Sequence, residues 1–378
     1  MRRKRTVIIL CLCVCLSLPI AARGLPVEIG SAASVCVMEA QSGVILMEQE
    51  AQNAMDTAGL MRLPALLCVC EAADKGEIEL TRRLRVSEAA AAIGGPTAFL
   101  TTGEEILAGD LYKSAVMIMA GDAIFALSEA VLSSDEAFVE RMNQRLSALG
   151  VAARCTDRMG AQTRLSAADV ALLGAALAQS GTFLTYSGMY YDTIVHDSGL
   201  VTEMASANKL LKSCSGCNGG ATGSSEAAGY CGVYMATRES ATYICSVLGA
   251  ANAKERAQAA KALLEYAFAS FEVERLARRG EVMVNGVPVG NGVEAACDLI
   301  AAADVCVVMP KDGAYTEKSD IPAALTAPVR AGEVLGSISY LDANGEILAK
   351  VELTVREDME AARWRDRLSK VVRGFLHS

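Results

Sequence analysis

Residues 57–67 read TAGLMRLPALL, and the register of this stretch decides how the chain folds. From Leu60 the apolar residues recur at helical spacing as far as Lys75, and Gly76 then supplies the left-handed stop of a helix C-terminus. Upstream, the runs 34–39 and 43–48 are strand-like and are joined at Ala40-Gln41-Ser42, which predicts a hairpin. Downstream, helical patterns cover about 121–132, 135–149 and 166–179, the last with Ser166 as N-cap and Asp169 three residues on. A Gly-rich loop at 216–225 leads into strand-like runs at 230–237 and 241–248, and a long helix over 254–271 closes the first domain.

Beyond residue 272 the texture changes to β-branched runs broken by Asn-Gly and Gly: VMVNGVPVGNGV, DVCVVMP and EVLGSISYLDANGEILAKVELTV. Asn344-Gly345 between two alternating runs is the strongest hairpin signal in the chain. A β-rich domain is expected over 272–356. In the tail, 357–378, Trp364, Leu368, Val371, Val372 and Phe375 share one helical face opposite Arg363, Arg365, Arg367, Lys370 and Arg373. A basic amphipathic helix of this kind either lies in a membrane interface or packs on its own β domain.

The chain opens with Met1-Arg2-Arg3-Lys4-Arg5, an apolar run from Val7 to Ile20, and Ala22-Arg23-Gly24. This reads as a secretory leader over 1–24, the other reading being a signal anchor; the run falls short of the ~20 residues a span needs. The 378 residues suffice for two domains, and 52% hydrophobic residues argue against disorder. A net charge of -9 excludes general nucleic-acid binding.

Of thirteen cysteines, Cys11, Cys13 and Cys15 lie in the leader and most of the others sit in apolar runs, as buried small hydrophobes do. Cys214-Ser215-Gly216-Cys217 is a C-x-x-C that is inert, locally bridged, redox-active or half of a zinc site. Its loop context disfavours the redox reading, and the scarcity of histidines disfavours zinc. No metal and no cofactor is expected. With only His196 and His377 available, Ser-His-Asp chemistry is also disfavoured.

Three segments have the placement of a Ser-x-x-Lys, a Ser-x-Asn and a Lys-Thr-Gly, the set shared by penicillin-binding proteins and class A β-lactamases. At the first, TAGLMRLPALL supplies Gly59 and Arg62; at the second, MAGDAIFAL supplies Ala120, Gly121 and Asp122; at the third, GGATGSSEAAGY supplies Ala221, Thr222 and Gly223. Around them, EAADKGEIELTRRLRVSEAA, EEILAGDLYKSAVMIMAGDA, EAFVERMNQRLSALG and TGSSEAAGYC follow in order. This layout resembles the D-alanyl-D-alanine carboxypeptidases, the low-molecular-mass penicillin-binding proteins that trim peptidoglycan stem peptides. The resemblance covers the whole mature chain.

It implies an α+β fold. A β-lactamase/transpeptidase-like domain, an antiparallel sheet flanked by helices, would span 25–271, followed by the small β-rich domain and the C-terminal amphipathic helix. It also implies a serine nucleophile at position 59, a lysine at 62, serine and asparagine at 120 and 122, and a lysine at 221. Gly59 has no side chain to acylate, and the Arg62 guanidinium cannot serve as a base. Ala120 removes a hydroxyl, Asp122 replaces an amide with an anion, and Ala221 removes a cation. Thr222, Gly223, Ser224 and Ser225 remain as candidate binding residues.

Because the family's counterparts of Arg62 and Asp122 face each other across the cleft, these two are expected to form a bidentate ion pair, the plainer reading being that Asp122 is a solvated helix residue. Three functions stay open: a catalytically silent exported homologue that binds or regulates in cell-wall or spore-cortex metabolism, an active serine-type carboxypeptidase using displaced residues such as Ser225, and a non-enzymatic membrane-surface assembly protein. The implied partners are a stem peptide and, through Trp364, Leu368, Val371 and Phe375, the outer surface of the cytoplasmic membrane.

Overall fold

The computed structural model describes residues 25–363. The proposed leader, 1–24, and the tail residues Trp364, Leu368, Val371 and Phe375 lie outside the described residues. The chain divides into two compact units at Ser270/Phe271.

In the first unit the elements run β1 Ser34–Glu39, β2 Ile45–Gln49, a 3₁₀ turn Ala58–Arg62, α1 Leu63–Asp74, β3 Arg83–Arg85, α2 Glu88–Ala91, β4 Glu105–Leu107, α3 Ala108–Ile118, α4 Gly121–Val131 and α5 Asp135–Ala148. They continue as α6 Ala167–Leu177, α7 Gly181–Ser187, β5 Tyr191–Val195, β6 Val201–Ala205, α8 Leu210–Ser213, β7 Cys217–Ser225, β8 Gly229–Arg238, β9 Ala241–Ala250 and α9 Ala253–Ser270. Five strands form an antiparallel sheet in the order β2-β1-β9-β8-β7.

Adjacent residues of a strand face opposite sides, so β9 shows how the sheet is covered. The Tyr243 ring meets Phe268 of α9, with centroids 4.7 Å apart. Ile244, next in line, turns to α6, where Gly174 lets helix and sheet close: a Cβ there would stand 2.7 Å from Val233 Cγ2 and 2.8 Å from Ile244 Cγ2. The sheet is therefore sandwiched between α6 and α9. Helix α1 is buried from Leu63 through Cys70 and is the apolar axis of the core, in keeping with a helix that is hydrophobic all round. Cys36, Cys68, Cys70, Cys155, Cys231 and Cys245 are buried.

The Ser166–Asp169 capping box forms, with both reciprocal hydrogen bonds. The stretch 216–225 corrects the sequence reading. It is an edge strand, β7, not a loop. Its glycines answer close approaches within a sheet, since a Cβ on Gly219 would stand 2.6 Å from Ser187 Oγ and one on Gly220 2.3 Å from Val233 O.

Among the described residues the second unit consists of strands: β10 Phe271–Ala277, β11 Val282–Gly290, β12 Ala296–Ala301, β13 Val305–Pro310, β14 Thr316–Asp320, β15 Leu325–Thr326, β16 Gly336–Leu341 and β17 Ile347–Thr354. Six of these strands form one sheet in the order β14-β16-β17-β12-β11-β15, and β10 pairs with β13. Leu299, Val351 and Leu353 are fully buried in its core. Asn344-Gly345 turns β16 into β17, with Gly345 at φ +85° and the Asp342 carboxylate accepting from the N–H groups of Asn344 and Glu346.

Candidate functional site

Three segments of the first unit meet at one place. The chain enters through Asp56, whose Oδ1 accepts from the Ala58 N–H at 2.8 Å. Ala58 then takes φ +50°, and the 3₁₀ turn presents Gly59 to β7 before Pro64 starts α1. Gly59 lies against Gly223: a Cβ on Gly59 would be 3.6 Å from Gly223 Cα, whereas a Cβ on Gly223 would be 2.6 Å from the Gly59 nitrogen. The first and third motifs are thus in main-chain contact.

One helical turn on, Arg62 points inward and is only 8% exposed. Its Nη2 donates to Gly94 O at 2.9 Å and its Nη1 to Met119 O at 3.3 Å. The guanidinium lies against two glycines: a Cβ on Gly121 would be 2.7 Å from Nη1, and one on Gly95 would be 3.1 Å from Nη2. Burial lowers the Arg62 pKa from its ordinary value, and the negative charge of Asp122 opposes that shift.

Asp122 opens α4 and is 1% exposed, which overturns the reading of a solvated helix residue. Its Oδ1 accepts from Ala98 N at 2.9 Å and Ala123 N at 2.8 Å, and its Oδ2 accepts from Leu100 N at 3.2 Å. The bidentate Arg62–Asp122 pair expected from the sequence is also corrected. Main-chain N–H groups occupy the carboxylate, main-chain carbonyls occupy the guanidinium, and the two charges meet only through space.

What both side chains hold is a strap, residues 94–101, that sequence reasoning missed. Gly121 adds a third tie, its N–H donating to Pro96 O at 2.8 Å. At the far end, Glu104 Oε2 accepts from the Thr101 amide and hydroxyl at 3.1 and 2.7 Å. His196 stands between Glu104 Oε1 at 3.0 Å and Thr202 Oγ1 at 2.9 Å, and Thr202 reaches Ala98 O at 3.4 Å. The histidine is thus a buried structural link between the strap and the β5–β6 hairpin. Only Gly94-Gly95-Pro96 signalled an irregular segment here.

In the third motif Ala221 is buried, Thr222 and Gly223 are half-buried, and Ser224 and Ser225 are exposed. Ser225 Oγ accepts from Ala228 N at 3.0 Å and so shapes the β7–β8 turn. Arg256 Nη1 lies behind the strand, donating to Gly223 O at 3.4 Å and Cys231 O at 3.1 Å. The structure therefore brings together Gly59, Thr222 and Gly223 on one side and Arg62, Ala120, Asp122 and the strap on the other. Nothing at position 59 can attack a carbonyl, and a guanidinium tied to two carbonyls cannot take a proton.

Cys214 Sγ sits 3.7 Å from Glu265 Oε1 and 3.9 Å from Arg238 Nη2. Burial foremost, with Glu265 next, raises its pKa, while burial pushes the Cys217 thiol up to about 11. That environment favours inert thiols. Among the described residues no group of three or more His, Cys, Asp or Glu side chains is arranged to hold a metal ion.

Residues 23–252 match the family described as D-alanyl-D-alanine carboxypeptidase, and residues 271–361 match penicillin-binding protein 5, C-terminal domain. The D-alanyl-D-alanine carboxypeptidase DacF of Bacillus subtilis is 27% identical over 338 residues, covering 88% of this chain and 86% of its own. DacC of Escherichia coli is 28% identical over 359 residues, covering 90% and 87%. Among solved structures, penicillin binding protein 5 from Haemophilus influenzae superposes with a TM-score of 0.78 at 24% identity, covering 89% of this chain and 100% of that one. A peptidoglycan synthesis regulatory factor, PBP3, from Streptococcus pneumoniae gives a TM-score of 0.67 at 21% identity, covering 87% and 99%. These structural likenesses show a shared fold.

Proposed function

Since the chain belongs to the D-alanyl-D-alanine carboxypeptidase family, we propose that it is a non-hydrolysing member, an exported homologue that binds peptidoglycan stem peptides or regulates their processing. The observation that carries this reading is Gly59 at the position of the attacking hydroxyl, with Arg62 one turn on held to the carbonyls of Gly94 and Met119. Loss of a catalytic nucleophile costs about 10⁶ in turnover, or roughly 8 kcal/mol of barrier. Ser225 is a poor substitute, because its oxygen is engaged by Ala228 N and it lies two strand residues, about 7 Å, past the contact with Gly59.

Two assays on the purified protein decide the matter. A fluorescent penicillin should leave no covalently labelled band, and a stem pentapeptide should release no D-alanine. Acylation, or D-alanine release abolished by Ser225→Ala, would establish the active alternative instead. Attachment to the outer surface of the cytoplasmic membrane through the basic tail is part of the proposal. Co-sedimentation with anionic vesicles should be lost when residues 357–378 are removed, and sedimentation that persists without them counts against that attachment.

A further inference from the structure

Cys214 and Cys217 take no part in the site described above, yet the fold brings them together. Their four-residue segment is one tight turn: the Cys217 N–H donates to Cys214 O at 3.2 Å, and Gly216, at φ +77°, supplies the left-handed residue that a type II turn requires. Such a turn holds its first and last Cα atoms less than about 7 Å apart. A disulfide closes over about 4.4–6.8 Å. The turn is also clamped to β8, with Gly216 O accepting from Thr237 N at 2.9 Å and Ser215 O from Arg238 Nε at 3.0 Å.

In the dithiol form each sulfur rests against groups that are satisfied without it. Arg238 Nη2 lies 2.8 Å from Glu265 Oε1, while Cys214 Sγ is 3.9 Å from the one and 3.7 Å from the other. Asn208 Nδ2 donates to Gly219 O at 3.0 Å, with Cys217 Sγ 3.8 Å away. Joining the two sulfurs therefore strands no hydrogen-bonding group. Burial foremost makes both thiols harder to ionise than usual, so the reduced pair gains nothing as a thiolate. Redox catalysts are the opposite case, their reduced form being held as a low-pKa thiolate. This pair suits a bridge that persists once made.

An exported protein, as proposed above, meets oxidising surroundings. We infer that Cys214 and Cys217 are an oxidation site, which a disulfide oxidant converts to a bridge that pins the start of β7 to the end of α8. Cys217 is half-buried and Cys214 only 6% exposed, so the oxidant reaches Cys217 first. The Cys217 thiolate attacks one oxidant sulfur, forming a mixed disulfide and releasing one thiol. Cys214 then attacks Cys217 Sγ and the second thiol departs. Two electrons pass to the oxidant, and the two thiol protons end on the thiols released. Cys217 opens the strand that carries Thr222 and Gly223, so the bridge steadies the third motif from its base.

The test equilibrates the purified full chain with reduced and oxidised glutathione, quenches in acid, unfolds and alkylates with iodoacetamide. Cleavage after Lys212 and Glu226 then places both cysteines in one peptide, 213–226, apart from Cys231. Even with a severalfold excess of reduced over oxidised glutathione, that peptide should escape alkylation and be lighter than the dithiol by two hydrogens. Bridging should quicken about tenfold per pH unit from pH 7 to 9, because the attacking Cys217 thiol is pushed up to about 11. Cys214→Ser should carry glutathione on Cys217, whereas Cys217→Ser should leave Cys214 unmodified. Hydrogen exchange at Gly219 to Thr222 should be slower in the bridged form.

Alkylation of both cysteines at every glutathione ratio overturns the oxidation site, and a bridge from either one to Cys231 overturns the pairing. Glutathione on Cys214 in place of Cys217, or a rate that ignores pH, overturns the order of attack. Equal exchange in the two forms removes the effect on β7. Each of these results leaves the non-hydrolysing reading standing, since penicillin labelling tests that separately.

Discussion

The main chain of Gly223 in β7 packs on that of Gly59, and the room between them is one-sided. A side chain on Gly59 would meet Gly223 Cα at an ordinary 3.6 Å, whereas one on Gly223 would run into the Gly59 nitrogen at 2.6 Å. Gly59→Ser should therefore fold, with a melting temperature within a few degrees of the parent. Gly223→Ala should force β7 off the 3₁₀ turn and cost about 1–3 kcal/mol. The restored hydroxyl should still fail to bind penicillin covalently, because Arg62 offers it no base. A labelled Gly59→Ser band would show that the rest of the site remains competent.

Asp122→Ala leaves the amides of Ala98 and Leu100 buried without an acceptor, at about 1–3 kcal/mol for each unsatisfied group. The loss should appear as a lower denaturation midpoint with an unchanged slope. Hydrogen exchange should show the cause, with faster exchange confined to the strap. Equal exchange of the Ala98 and Leu100 amides in parent and mutant would mean that the carboxylate does not hold it.

Arg62 and Gly121 are a matched pair, since a Cβ at 121 would come within 2.7 Å of Nη1 and of Ile93 Cγ2. Gly121→Ala should be destabilising in the parent, by about 1–3 kcal/mol, and less so in an Arg62→Ala background, where the guanidinium is gone. A double-mutant cycle should give a coupling of about 1 kcal/mol or more. Additivity of the two changes would leave Ile93 as the sole obstacle and remove the argument that the two positions are linked.

How far the molecule can be read from its sequence depends on the kind of interaction involved. Helix α6 is legible because its cap is local: Ser166 and Asp169 satisfy each other within four residues. The β16–β17 hairpin is legible for the same reason. Strand β7 is not, because its glycines answer approaches from Ser187, Val233 and Gly59, partners far away in the chain. The Arg62–Asp122 pair failed because opposite charges on facing elements were assumed to seek each other. Main-chain N–H and C=O groups of the strap reached both first, and no periodicity reports where an irregular segment points its amides.

Alkaline pH offers a test of the thiol-rich core. Burial foremost, with the Glu71 carboxylate adding, pushes the Cys68 thiol from its usual 9.0 up to about 12, and burial likewise raises Cys36, Cys70 and Cys245. A group whose pKa is raised in the folded state stabilises fully below its unfolded value. As pH climbs past 9.0 the unfolded chain releases these protons while the folded one keeps them, so stability must fall, up to about pH 12 for Cys68. Each such thiol withdraws about 1.4 kcal/mol per pH unit across that window. Tyr112 and Tyr234, whose hydroxyls burial also raises, steepen the fall from about pH 10 upward. Urea denaturation at pH 8, 9.5 and 11 should show progressive loss, with a shallower slope in Cys68→Ala than in the parent. A stability that stays flat from pH 8 to 11 would mean that these thiols ionise as readily inside the fold as outside it.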